Sequence, residues 1–148
     1  MRKRCKRKVR PESRMITPAQ LTDLLIVPRF HLTLLLDGSF DRTYLESVAG
    51  VFNIGAALAF LKEDSARQKN THRALAIILR IGETQHLEKA DGAFLKLALN
   101  DLDRWFGVQP AQSLLAAVQY VEDACRSGNG ADVVHLQNQA IDIGMDER

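Results

Sequence analysis

Apolar residues recur at spacings of three and four along most of the chain, the period of a helix with one buried side. The first such stretch opens at Thr17-Pro18-Ala19-Gln20. Thr17 can cap, Pro18 suits the first helical position, and Gln20 completes a capping box. Leu21, Leu24 and Leu25 follow, and then Pro28. Proline lacks an N–H and clashes with the preceding turn, so it predicts a break or a kink there. Leu32, Leu35 and Leu36 carry the apolar face onward until Asp37-Gly38-Ser39 stops it.

A second helix, capped by Asp41 or Ser39, reaches about Lys62. Tyr44, Val48, Val51, Gly55 and Leu58 form its stripe, and the small residues from Gly55 to Ala59 let a neighbouring helix come close. Residues 63–70 are polar and read as a loop or a frayed start. A third helix carries Leu75, Ile78 and Leu79 and fades after Gly82, and Ala90-Asp91-Gly92 punctuates the chain. The fourth spans about 92–106, with Phe94, Ala98, Leu102 and Trp105 on one face, and Gly107 ends it. Pro110 opens a fifth, with the stripe Leu114, Val118, Val121 and Cys125, closed by Gly128. Beyond Gly130 the patch from Val133-Val134 to Ile143 reads as a loosely attached tail or a short helix. Nothing reads as a strand pair joined by a hairpin turn. The expectation is an all-α bundle of about five helices over residues 15–128, preceded by an arm (1–14) and followed by a tail (129–148).

Composition supports helices, and charge adds the arm. Hydrophobic residues make up 46% of the 148 and aromatics only 6%, with Leu and Ala dominant. The formal net charge is +2, but it is unevenly placed. Residues 1–14 hold eight basic side chains and one acidic one, Glu12, a balance of +7. The remaining 134 residues hold 12 basic and 17 acidic side chains, a balance of −5. Like-charge repulsion should keep the arm extended and disordered.

The two cysteines, Cys5 and Cys125, make no disulfide framework, which suits a reducing compartment. No apolar stretch directly follows the basic residues, as a signal peptide would need. The stretch Leu24 to Leu36 is 13 residues long and interrupted by Pro28, Arg29 and His31, too short to cross a bilayer. A cytoplasmic protein without a membrane is the expectation.

Candidate chemistry is sparse. No two of His31, His72, His86 and His135 have the spacing that puts two ligands on one helical face, and neither cysteine has a nearby partner. They read as surface or capping histidines, and no metal or cofactor is expected. Asp101/Asp103 and Glu122/Asp123 point apart on a helix and read as a solvated face. Phosphate-loop, dinucleotide and nucleophile-elbow patterns are missing, so no enzyme is expected. Cys5, with six cations within four residues, should form its thiolate readily; the bland reading is a chance cysteine in the arm. Cys125 reads as a small core residue. Leu45 to Asn53 has an Ala-Gly-Val centre like that of a helix-turn-helix, but the following helix would be Ile54 to Leu61, wholly apolar. A recognition helix must offer polar groups to base edges, so this one belongs in a core.

The arm remains. Arg2, Lys3, Arg4, Lys6, Arg7, Lys8 and Arg10 can bind a phosphate backbone by counterion release. They would do so without reading sequence. No aromatic offers a stacking platform for single strands, and an anionic membrane surface is a weaker option because no amphipathic apolar face accompanies the arm. Three readings stand beside one another: nucleic-acid binding through the arm, a helical body that binds a protein partner or dimerises, and an incidental basic terminus.

The chain as a whole resembles a group of small proteins. Its Met-Arg-Lys-Arg head is followed by a Leu-rich helix and a Gly-containing turn, then by a helix with Leu45, Asn53, Ile54 and Leu58. A helical pair, Phe94 to Trp105 and Leu114 to Arg126, closes the pattern. In this it is similar to basic-headed helical accessory proteins of proteobacterial phages, prophages and plasmids, loosely labelled Fis-type regulators. The likeness covers roughly residues 1–128 and departs at Pro28 and after Gly130. It implies a mobile-element accessory protein and supplies no activity and no binding residues.

Overall fold

The computed structural model describes residues 14–129. They form five helices: α1 (Pro18–Leu36), α2 (Arg42–Leu61), α3 (Ser65–Thr84), α4 (Lys89–Gly107) and α5 (Ala111–Ala124). A π-helical turn, Cys125–Asn129, follows α5. There is no strand among the described residues, as the periodicity predicts. The arm residues 1–13 and the tail from Gly130 lie outside the described part.

α2 is the central helix and packs on α1, α3 and α5, while α4 closes the bundle against α1 and α3. Leu21 lies against Gly107 and Leu36 against Gly92, so α1 and α4 run antiparallel. The core is one cluster in which Phe52, Leu58, Leu75, Leu95, Leu99 and Phe106 are fully buried. The predicted close approach at α2 is present. A Cβ on Gly55 would lie 2.8 Å from the Leu102 side chain on α4 and 3.3 Å from Thr71 on α3.

Local chemistry sets the helix starts. At α1, Thr17 Oγ1 accepts from the Gln20 N–H (3.2 Å) and Gln20 Oε1 accepts from the Thr17 N–H (2.9 Å), the reciprocal box the sequence predicts. Asp41, rather than Ser39, caps α2 by accepting from the Thr43 N–H at 2.8 Å. Gly38 takes the left-handed conformation that lets the chain turn after α1 (φ 95°).

Three expectations are corrected. Pro28 does not break α1, which is assigned as helix from Pro18 to Leu36. Its ring is buried beside Leu25, Leu32 and Leu35, so packing on the core side holds the helix where propensity would end it. Of residues 63–70 only Glu63 and Asp64 lie outside the helices, because α3 begins at Ser65. Asp64 caps it by accepting from the Arg67 N–H at 3.1 Å, and buried Gln68 donates to the Ala59 carbonyl at 3.3 Å. Ala90-Asp91-Gly92 does not punctuate the chain but lies in the first turn of α4. Gly92 serves close packing there, since a Cβ would come within 2.8 Å of Leu36.

Candidate functional site

The seven arm cations Arg2, Lys3, Arg4, Lys6, Arg7, Lys8 and Arg10 lie outside the described residues, as do Cys5 and His135. What the structure describes is the root of the arm. The Arg14 carbonyl accepts from the Ala111 N–H at 2.6 Å, and Met15 forms an isolated antiparallel bridge with Pro110. Arg14 therefore joins the body at the junction of α4 and α5.

Five arginines of the body are in ion pairs. Arg42 pairs with Glu46 (2.8 Å), Arg80 with Asp91 (3.0 Å) and Arg126 with Glu122 (4.0 Å). Arg67 pairs with Asp64 (2.9 Å) and Asp101 (3.2 Å) and lies over the Trp105 ring, 4.5 Å from its centroid. Arg29 pairs with Asp103 and donates to Asn100 Oδ1 at 2.9 Å. Arg73 lies over Phe94 at 4.1 Å. Hydrogen bonding from the Arg67 N–H, opposed by burial, holds the Asp64 carboxyl below its usual range.

These pairs correct the reading of Asp101 and Asp103 as a solvated face. At i, i+2 they do point apart, and that is why each reaches a different helix: Asp101 to Arg67 on α3, Asp103 to Arg29 on α1. No spacing within α4 signals this, because both partners lie far away in sequence.

The histidines divide. His86 is exposed and lies 3.1 Å from Glu88, a surface histidine as expected. His31 and His72 are half-buried, which the sequence does not signal. His31 packs its ring on Tyr44 (centroids 4.8 Å apart). Burial lowers the His72 pKa. No group of three or more metal-capable side chains occurs among the described residues. Cys125 is exposed, not a core residue, because it lies in the π-helical turn after α5, beyond the core. The apolar helix read against a helix-turn-helix is indeed internal, with Gly55 to Ala59 all buried in α2.

One surface was not foreseen. α1 carries apolar residues on its outward side as well as on its core side. Leu25, Leu32 and Leu35 face the core, while Ile26, Val27 and Phe30 are 57%, 51% and 61% exposed. At i, i+1 and i+4 these three share one side of the helix. Beside them a shallow groove of about 280 Å³ is lined by Pro18, Leu21, Leu25, Arg29 and Asp103. By length and composition alone, α1 and α2 are each apolar enough to cross a membrane, with mean hydropathy 1.2 and 1.5. The expected 13-residue limit fails for α1 because the helix starts at Pro18 and continues through Pro28. Yet 61% of the α2 span is buried inside the bundle and only 22% of the α1 span is.

No protein-family model, curated protein or solved structure matches the chain.

Proposed function

We propose that this is a non-enzymatic accessory or regulatory protein, of the mobile-element kind it resembles, that holds nucleic acid non-specifically through Arg2, Lys3, Arg4, Lys6, Arg7, Lys8 and Arg10. One observation carries the reading. The arm holds eight of the chain's twenty Lys and Arg residues within fourteen positions and one acidic residue, while the remaining 134 residues carry a balance of −5 and five of their arginines are paired with carboxylates. Phosphate contact through such a segment is set by counterion release and does not depend on base sequence. The apolar α2, buried in the core, supplies no base-reading helix, which agrees with binding that lacks sequence preference.

The test is a salt titration of duplex DNA binding by the full chain and by a variant with the seven arm cations replaced by serine. Affinity of the full chain should fall steeply with salt, and the variant should lose most of it. Equal binding by the two forms, or none by either, overturns the reading. A second reading, a body that docks a host protein, is favoured by exposed Ile26, Val27 and Phe30. Stoichiometric capture of one protein by the arm-neutralised variant, abolished by Phe30→Ser, would support it.

A further inference from the structure

We propose that α5 is a strap that opens from α2 about its root while the other four helices stay packed. Its hold on the bundle is slight. Among the described residues it packs closely on α2 but on none of the other helices. It buries Leu114 and Ala117 alone, where α2 buries eleven residues, α3 seven and α4 six. Thr17, Asp41 and Asp64 cap α1, α2 and α3 with their side chains, whereas Pro110 gives α5 no side-chain cap. The far end passes into the π-helical turn Cys125–Asn129. The near end is held, because the Arg14 carbonyl accepts from the Ala111 N–H and Met15 bridges Pro110. A helix pinned at one end and lightly buried along its length opens locally, by swinging about that end.

A second observation lies beneath α5. Asn53 is only 6% exposed, and its Oδ1 has no hydrogen-bond partner among the described residues. It stands seven residues before Phe60, on the same side of α2, and the Phe60 ring meets that of Tyr120 on α5 with centroids 5.9 Å apart. The other neighbours meet α2 on different sides. His31 of α1 packs on Tyr44, Leu102 of α4 approaches Gly55, and Gln68 of α3 donates to the Ala59 carbonyl. α5 therefore shields the Asn53 amide oxygen from water and gives it no donor in return. That penalty exists only while the strap is closed, so it works against closure. Opening bares Asn53, Ala57 and Phe60 along α2. Any helix that docks there has to displace α5 first, so the strap controls access to this side.

This inference goes beyond the nucleic-acid reading and needs nothing from the arm. The experiment is native-state hydrogen exchange of the full chain, read helix by helix at low urea. Amides of α5 are expected to be at least about a hundredfold less protected than the most protected amides of α2 and α3. Asn53→Leu replaces the amide with an apolar group of similar size, and should raise the protection of α5 about tenfold. Protection of α5 equal to that of the slowest α2 amides overturns the inference, because the helix would then open only with the whole chain. Lower or unchanged protection of α5 in Asn53→Leu also overturns it. So does an Asn53→Leu chain that circular dichroism reports as unfolded, since the amide would then be holding α2 in place rather than opposing closure of α5.

Discussion

α1 and α2 are two apolar helices of nearly equal length, 19 and 20 residues, and similar mean hydropathy. One is enclosed on three sides by α1, α3 and α5, and the other forms an edge of the bundle with α2 and α4 as neighbours. Composition made them alike; the number of neighbouring helices made them different. An apolar helix is a core helix only if something stands on each of its sides, and α1 keeps an outward side that the five helices leave uncovered.

The sharpest way to break this contrast is to cut the same side chain from each helix. Phe52→Ala on α2 opens a cavity in a fully buried site and should cost about 3–5 kcal/mol in urea unfolding. Next is Gly55→Leu, which drives a branched chain into Leu102 and Thr71 and should cost about 1–3 kcal/mol by the same measurement. Arg29→Ala removes a half-exposed polar clasp between α1 and α4, so its loss should be under about 1 kcal/mol and should shrink at high salt. Phe30→Ser should change stability by no more than about 0.5 kcal/mol, despite deleting as large a ring as Phe52→Ala. A large loss in Phe30→Ser would mean that α1's outward side is already covered within the chain, and the contrast would fail.

The helices were legible in the sequence because their stripes repeat at the right period, and the capping box at Thr17 marked the start of α1. The misreadings share a cause. Pro28 and Gly92 each have a local preference that ends a helix, and only the packing around each shows why the chain continues there. Residues 63–70 look like a loop until Asp101 and Ala59 supply partners for Arg67 and Gln68. Cys125 completes a stripe on paper, but the core ends before the stripe does. As for the site, the arm's charge could be counted from the first residues. The outward side of α1 could not, since apolar residues lie on both sides of this helix and do not show which of them face out.

Asp101 and Asp103 have a mechanical consequence. They leave α4 in different directions, one held by α3 and the other by α1. Turning α4 about its own axis shortens one reach only by stretching the other. Both pairs oppose such a turn, in the same sense as the burial of Leu95, Leu99 and Leu102 in the core. Two carboxylates one residue apart, useless as a catalytic pair on a helix, tie α4 to two different neighbours.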